Sequence, residues 1–235
     1  MAAVGKRVPK DDLLAGTLQG YPRHIVTWLM MAVLGRLLPI RVIDAHLIPL
    51  EGPLLVVSNH LSNADPPLLA FAFPRPLFYM GKSELFRNSL LGWILRRFGG
   101  FPVERGTADR AALRHAIAVL DQGIAMGIFP EAGRSKTFAL VKGLPGAGLL
   151  ALQSRAPVLP VAIHGTEFYG VNGDIPPRRP RDAPRGVTIR FGRPFEVPER
   201  VDDRRVNAEE ATRLMMLHIA ELLPDAYRGF YAHGP

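Results

Sequence analysis

The chain has 235 residues, of which 48% are hydrophobic and 21% are charged, a balance that is typical of one globular domain and excludes a disordered chain. It contains no cysteine, which excludes disulfides, thiolate metal sites and a cysteine nucleophile. The net charge of +8 favours an anionic partner such as nucleic acid, an anionic bilayer or a phosphorylated substrate, although solubility alone also accounts for it.

The first apolar run extends from residue 25 to residue 35 and is stopped by Arg36. It is too short to cross a bilayer, but Trp28 and the flanking arginines suit a helix that lies among lipid headgroups. Packing against the protein core is the alternative for the same run. We therefore predict an N-terminal amphipathic, membrane-interfacial helical segment over residues 1–42, followed by a single domain over residues 43–235.

The rest of the chain alternates short apolar runs with helical patterns. The apolar runs predict strands at residues 54–57, 77–80, 125–129, 158–163 and 187–191, and a short extended segment at residues 101–103. Helices are predicted at residues 65–73, in a stretch that ends near 97, and at residues 107–120, 146–153 and 207–223. Thr107 is the predicted N-cap of the third helix, and residues 170–186, rich in Pro and Arg, predict an exposed loop. This alternation predicts an α/β fold, with a mixed, largely parallel sheet flanked by helices.

The stretch that begins directly after the first predicted strand carries the clearest sign of chemistry. His60 follows a buried strand, and α/β sheets place ligand sites at the carboxyl ends of their strands. Asp65 comes five residues later, before two prolines at the start of a predicted helix. A short turn would bring its carboxylate to one imidazole nitrogen, fix the tautomer and leave the other nitrogen as a base. On these residues alone, Asp65 as a helix cap and His60 as a loop histidine stay open as the alternative.

Asn59, His60 and Asp65 resemble the His-x4-Asp motif of the glycerolipid acyltransferase family, in particular of its members similar to bacterial 1-acyl-sn-glycerol-3-phosphate acyltransferase. Further segments are similar to the family's other sequence blocks, in the same order: Met80 to Phe86, Gly99 to Arg105, Phe129 to Ser135 and Val158 to Val161. The resemblance covers roughly residues 50–167. Several blocks in order are far more specific than any one of them.

The resemblance implies roles for individual residues. His60 is the expected base, and Asp65 is its expected orienting partner. The expected substrate-binding residues are Lys82, Arg105, Glu131, Gly133 and Arg134. Arginines suit bidentate phosphate binding, and a lysine adds a point charge.

One position departs from the family's pattern. The family usually has Gly and then Thr or Ser between the glutamate and the arginine of its third block, whereas this chain has Ala132 and Gly133. The hydroxyl is absent, so the acceptor is the part of the activity that the resemblance defines least.

The implied activity is transfer of a fatty acyl group from acyl-CoA or acyl-carrier protein to the free hydroxyl of 1-acyl-glycerol-3-phosphate. The product is phosphatidic acid, an intermediate of phospholipid biosynthesis. A positioned histidine can take the hydroxyl proton near neutral pH, and the chain has no Gly-x-Ser-x-Gly elbow to supply a serine nucleophile. The alternatives are another lysophospholipid or glycolipid acceptor, or a non-catalytic module that binds membrane lipids.

The resemblance also sets expectations about partners. We expect no metal and no bound cofactor, because acyl-CoA or acyl-carrier protein serves as co-substrate. The aromatic residues lie among aliphatic ones rather than basic ones, which favours an anionic membrane surface over nucleic acid. We expect a peripheral or monotopic protein on the cytoplasmic face of the plasma membrane.

Overall fold

The computed structural model describes residues 39–104, 109–170, 176–179 and 185–233. Within these ranges the strands are β1 (Ile40–Ile43), β2 (Leu54–Ser58), β3 (Leu77–Lys82), β4 (Gly100–Val103), β5 (Ala125–Ile128), β6 (Val158–His164), β7 (Val187–Phe191), β8 (Arg200–Val201) and β9 (Arg204–Arg205). The α-helices are α1 (Asp65–Ala72), α2 (Ser89–Arg97), α3 (Arg110–Asp121), α4 (Gly146–Ser154) and α5 (Ala208–Leu222). Within the described residues the predicted elements are confirmed, with small differences at their ends, whereas β1, β8 and β9 were not predicted.

The described strands form one large sheet in the order β1-β7-β6-β2-β5-β3-β4, with β8 and β9 as a separate hairpin. Every neighbouring pair in the large sheet is parallel except β6 and β7, which confirms the mixed, largely parallel sheet of a single α/β domain. Strand β2 lies in the middle, where Val57 pairs with Ile128 of β5 and with Pro160 of β6. The chain that leaves β2 therefore emerges at the centre of the carboxyl edge.

Both faces of this sheet are covered, and β2 is buried along its whole length. Leu55 and Val57 pack on one side into a core shared with α3, α4 and α5. Leu54 and Val56 point to the opposite side and pack against α1. Because successive residues of a strand face opposite sides, a strand buried on both faces is apolar without interruption.

The start of α3 corrects one prediction. The helix begins at Arg110, and the carboxylate of Asp109 accepts hydrogen bonds from the backbone N–H groups of Ala111 at 3.1 Å and Ala112 at 2.9 Å. Thr107, predicted as the cap, lies outside the described residues, and its assignment as cap is wrong because Asp109 satisfies the free amides of the first turn.

Most of the predicted N-terminal segment, including the run from residue 25 to residue 35, lies outside the described residues. Strand β1 crosses the predicted boundary at residue 42, because Ile40 to Val42 pair with Val187 to Ile189 of β7. Much of the loop predicted at residues 170–186 also lies outside the description. Among the residues described, no helix combines the length and apolar character needed to cross a membrane.

Candidate active site

Asn59 fixes the path of the chain where it leaves β2. Its side-chain Nδ2 donates to the carbonyl oxygen of Ile163 at 2.7 Å, and its Oδ1 accepts from the backbone N–H of Ile163 at 2.8 Å. The amide therefore pairs with both backbone groups of one residue in β6 and continues the contact between the two strands beyond Ser58. This pairing anchors the residue that precedes His60 to the rigid centre of the sheet.

His60 and Asp65 form the predicted pair. The distance between His60 Nδ1 and Asp65 Oδ2 is 2.9 Å, and their side chains are 8% and 0% exposed. Asp65 Oδ2 also accepts from the backbone N–H groups of Leu61 at 2.6 Å and Ser62 at 2.7 Å. Because these amides can only donate, the carboxylate serves as an acceptor, which assigns a proton to the Nδ1 nitrogen of the imidazole.

The hydrogen bonds of Asp65 argue against its alternative role as a helix cap. Asp65 lies in the first turn of α1, but its carboxylate bonds to amides that precede the helix and caps none within it. Pro66 and Pro67 occupy the first turn and have no N–H group that needs a cap. The carboxylate is therefore directed to the imidazole and its turn rather than to the helix.

The imidazole of His60 is held by contacts that leave one nitrogen open. Its ring stacks on the ring of Phe129, with centroids 4.4 Å apart and planes inclined by 29°. Within the described part of the chain, Nε2 makes no hydrogen bond. A histidine with Nδ1 fixed by a carboxylate and Nε2 unengaged can act as a general base.

Glu131 supports the backbone of His60. Its Oε1 accepts from the backbone N–H of His60 at 2.9 Å, and its Oε2 accepts from the backbone N–H of Val141 at 3.1 Å. Burial raises the pKa of the Glu131 carboxyl to about 7, while these two hydrogen bonds act in the opposite direction. The backbone N–H of Ser135 donates to the carbonyl oxygen of His60 at 2.8 Å, so the segment after β5 holds His60 on both sides.

Glu131 was predicted to contact the acceptor. Both of its carboxylate oxygens accept from backbone amides, so it can instead hold the backbone of the site in place. Gly133 and Arg134 follow in the same turn and are both half-buried. Ala132 has a φ of 52°, in the left-handed region that glycine adopts without strain. Position 132, where the family pattern has glycine, is therefore a backbone position that favours glycine.

The other two predicted substrate-binding cations are Lys82 and Arg105. Lys82 ends β3, and its Nζ lies 3.0 Å from Glu84 Oε1 in a pair whose side chains are about half exposed. Strand β5 separates β3 from β2 in the sheet, so Lys82 lies at the same end of the sheet as His60, two strands away. Arg105 lies outside the described residues, and its predicted role stays a prediction.

Sequence reasoning missed Thr166, which lies next to the pair. Its hydroxyl Oγ1 donates to Asp65 Oδ1 at 2.7 Å. The available signal was its position just beyond the predicted strand at 158–163, at the same carboxyl edge as His60. Among the described residues, no three His, Asp or Glu side chains lie together as metal ligands would.

Comparisons with known proteins are consistent with this geometry. The family model described as "Acyltransferase" matches residues 39–164. The chain is 31% identical over 159 residues to a 1-acyl-sn-glycerol-3-phosphate acyltransferase of Streptococcus pneumoniae, covering 66% of this chain and 53% of that relative. It is 28% identical over 127 residues to the enzyme of the same name from Bacillus subtilis, covering 54% of this chain and 63% of the relative.

Two further similarities concern a different acceptor and a solved structure. A lyso-ornithine lipid O-acyltransferase of Pseudomonas aeruginosa is 33% identical over 113 residues, covering 47% of this chain and 43% of that relative. The crystal structure of a 1-acyl-sn-glycerophosphate acyltransferase from Thermotoga maritima superposes with a TM-score of 0.62 at 22% identity, covering 91% of this chain and 83% of that one. The structural similarity concerns the fold, and the chain spans less than two thirds of the length of these curated relatives.

Proposed function

This chain belongs to the acyltransferase family, and we propose that it transfers a fatty acyl group from a thioester donor to the free hydroxyl of 1-acyl-glycerol-3-phosphate, giving phosphatidic acid. The observation that carries the proposal is the contact of 2.9 Å between His60 Nδ1 and Asp65 Oδ2, at the carboxyl end of the central strand. It supplies the one group that ester formation from a thioester requires, a base for the acceptor hydroxyl.

The proposed reaction is a direct transfer. His60 Nε2 takes the proton of the acceptor hydroxyl as its oxygen attacks the thioester carbonyl carbon. A new carbon–oxygen bond forms, the carbon–sulfur bond breaks, and the imidazolium returns the proton to the departing thiolate. Asp65 stays ionised and stabilises the imidazolium through Nδ1, as the buried carboxylate does in other His–Asp pairs.

The acceptor phosphate requires cations, and the proposed ones are Arg134, Arg105 and Lys82. Arg134 lies three residues from Glu131, whose carboxylate holds the His60 backbone, so the same turn serves the base and the phosphate. A guanidinium suits bidentate phosphate binding, and the net charge of +8 favours approach of an anionic lipid.

The donor in this proposal is acyl-CoA or acyl-carrier protein, both of which present the acyl group as a thioester. Neither a metal nor a bound cofactor takes part in the proposed step, because the base, the nucleophilic hydroxyl and the thioester complete the reaction between them. Acid–base catalysis by a positioned side chain contributes typically 10²- to 10⁴-fold to a rate.

We further propose that the protein works at an anionic membrane surface, as a peripheral or monotopic protein on its cytoplasmic face. Helix α2 supports this, because Leu90 and Trp93 are 67% and 58% exposed on one side of it. The Arg97 guanidinium lies 5.4 Å from the centroid of the Trp93 ring, and Arg87 and Arg96 are exposed nearby. Tryptophan and arginine side by side suit the boundary between headgroups and acyl chains.

A second candidate acceptor is another lysolipid, such as a lyso-ornithine lipid. Two observations favour keeping it: the similarity to the Pseudomonas aeruginosa enzyme, and the replacement of Gly then Thr or Ser by Ala132 and Gly133. A lyso-ornithine lipid carries no phosphate, so it would not require the proposed phosphate contact of Arg134.

The test is an acceptor panel with the full-length protein in phosphatidylglycerol-containing vesicles. Lysophosphatidic acid, other lysophospholipids and lyso-ornithine lipid are each offered with labelled acyl-CoA or acyl-carrier protein. We expect labelled phosphatidic acid, its loss in His60→Ala, and its retention in His46→Ala, which removes an exposed histidine just after β1, a strand that runs opposite to β2 and ends at the other end of the sheet.

Each arm has a distinct consequence. Unchanged turnover in His60→Ala would rule out His60 as the general base. Transfer only to lyso-ornithine lipid would replace the proposed acceptor. No transfer to any acceptor, with vesicle binding intact, would favour a non-catalytic module that binds membrane lipids.

A further inference from the structure

The second oxygen of Asp65 has a donor that the proposed reaction does not use. The hydroxyl of Thr166 donates to Asp65 Oδ1 at 2.7 Å, and both residues are buried, at 1% and 0% exposure. The other oxygen, Oδ2, serves His60 and two backbone amides. Because an ionised carboxylate that is fully buried needs a donor at each oxygen, this contact completes its hydrogen bonding.

We propose that Thr166 is a positioning residue for acyl transfer, whose hydroxyl fixes the plane of the Asp65 carboxylate and, through it, the orientation of the His60 ring. This inference rests on the proposed function, since it assigns a role within that reaction. With Oδ2 held from the turn at Leu61 and Ser62 and Oδ1 held by Thr166, rotation of the carboxylate breaks hydrogen bonds at both ends.

The loop that carries Thr166 is itself held from the C-terminal part of the chain. Glu167 is 2% exposed, its Oε2 accepts from the backbone N–H of Gly165 at 2.8 Å, and its Oε1 accepts from the hydroxyl of Tyr227 at 2.6 Å. Gly165 has a φ of 93°, and a Cβ there would lie 2.3 Å from the carbonyl oxygen of Gly186. The Thr166 hydroxyl is therefore supplied by a loop with a fixed position, joined to the segment that follows α5.

Packing alone does not account for a hydroxyl at this position. Valine has the shape of threonine and would fill the same space, but it would leave Asp65 Oδ1 buried without a donor. The carboxylate would then reorient toward another donor, and the imidazole would lose its fixed direction. Misplacement of a reacting group by about 1 Å can lower a rate on the order of 10²-fold.

The experiment compares Thr166→Val with Thr166→Ser, which keeps the hydroxyl, in the vesicle assay with full-length protein. We expect Thr166→Val to lower kcat by about 10- to 100-fold with KM for both substrates within about threefold. Thr166→Ser should recover kcat to within about threefold of wild type. A kcat loss confined to the variant without the hydroxyl is the signature of positioning, because a packing defect would affect both variants.

Thr212→Val is the matched control for a buried threonine. Thr212 is 1% exposed, and its hydroxyl bonds to backbone groups of Gly148, Leu144 and Ala208 between α4 and α5. We expect this change to lower the free energy of unfolding and to leave kcat near wild type. A similar kcat in Thr166→Val and wild type would overturn the inference, and so would equal kcat losses in Thr166→Val and Thr212→Val.

A second measurement separates this inference from the proposed function. In protein labelled with ¹⁵N-histidine, the nitrogen signals of His60 are assigned by their loss in His60→Gln and report which nitrogen carries the proton. We expect the Nδ1-protonated form in wild type and in Thr166→Ser, and a mixture of forms in Thr166→Val. If wild type transfers no acyl group, the proposed function fails, and this spectrum alone decides whether Thr166 orients the pair; identical spectra would overturn that role.

Discussion

The base and Lys82, one of the cations proposed to bind phosphate, are held in opposite ways. His60 and Asp65 are buried, and the carboxylate accepts from two backbone amides, one hydroxyl and the imidazole. Lys82 is 47% exposed, and its ammonium pairs with Glu84, which is 48% exposed. The region of the base is therefore ordered before any substrate arrives, whereas Lys82, in the region proposed for the phosphate, would exchange water for its ligand.

The difference follows from what each region has to do. A base works through its direction toward one proton, so its contacts are best formed in advance and shielded from water. A phosphate-binding cation must be reached by a headgroup, and an exposed ion pair stabilises the fold by only about 0–1 kcal/mol, so it is easily given up. Changes in the first region should therefore lower kcat, and changes in the second should raise KM.

Asp65→Asn is expected to have the largest effect on this comparison. Asparagine offers one acceptor oxygen where Asp65 offers two, so the imidazole loses its acceptor or takes the wrong tautomer. We expect kcat to fall on the order of 10⁴-fold, as the same substitution does in the Ser-His-Asp triad, with KM for the acceptor within about threefold. The vesicle assay measures both constants.

Asp44→Asn is the control for this substitution, because Asp44 is exposed and makes no capping hydrogen bond with its side chain. It should leave both constants near wild type. A kcat for Asp65→Asn within about tenfold of wild type would mean that the carboxylate is not needed to hold the imidazole.

Glu131 tests whether the buried region depends on pH. Its pKa is raised from 4.5 to about 7, mainly by burial, so the stability it contributes is complete below about pH 4.5 and is lost as pH rises through 7. Glu131→Gln cannot titrate. We therefore expect the free energy of unfolding of wild type, relative to this variant, to fall between pH 5 and pH 8 by up to about 3 kcal/mol, at about 1.4 kcal/mol per pKa unit.

Urea unfolding at several pH values between 5 and 8 provides the measurement. Glu84→Gln is the control, because the pKa of Glu84 is lowered by its hydrogen bond with Lys82 and it titrates below this range. Its difference from wild type should stay flat. A flat difference for Glu131→Gln as well would mean that the Glu131 carboxyl is ionised throughout.

Local patterns predicted much of this molecule and one part of the site. The run Leu54 to Val57 is apolar without interruption, as a strand covered on both faces must be. His60 and Asp65 are close in sequence, so a short turn was enough to predict their contact. Strand β1 was missed because, among the described strands, it pairs on one side only and its middle residues are exposed, which leaves no apolar run to recognise.

The supports of the base could not be predicted in this way. Thr166 lies 101 residues from Asp65 in the chain, and Glu131 lies 71 residues from His60. These contacts depend on the order of strands in the sheet, where β5 and β6 flank β2, and no local periodicity encodes that order. The resemblance marked Glu131 as part of the site, but only the structure gave its contact with the His60 backbone.

Arg134→Ala tests the second region. Loss of a charged hydrogen bond to the acceptor phosphate corresponds to about 1.5–3 kcal/mol, so we expect KM for lysophosphatidic acid to rise about 10- to 100-fold, with kcat within about threefold. Arg193→Ala is the control, because Arg193 is exposed just beyond β7, which runs antiparallel to β6 and ends at the opposite edge of the sheet. A fall in kcat with unchanged KM would place Arg134 with the base rather than with the phosphate.

Ala132→Gly has the smallest expected effect and acts where the two regions meet, between Glu131 and Arg134. The φ of 52° at Ala132 costs an L-residue roughly 1–2 kcal/mol. Glycine removes this strain, but its greater conformational entropy stabilises the unfolded chain by about 0.4–1 kcal/mol. We expect a gain of up to about 1 kcal/mol in the free energy of unfolding. A smaller gain should appear in Asp203→Gly, since Asp203 has a φ of 60° in the turn between β8 and β9 and aspartate tolerates this conformation better than alanine.

The kinetic constants of Ala132→Gly then show whether this turn transmits anything from one region to the other. If Glu131 is fixed by its amide contacts and Arg134 adapts to the headgroup, both kcat and KM should stay within about twofold of wild type, because the backbone conformation is the same in both proteins. A larger change in KM alone would mean that the strained alanine positions Arg134. A larger change in kcat would mean that the turn also positions His60, and the two regions would then be one.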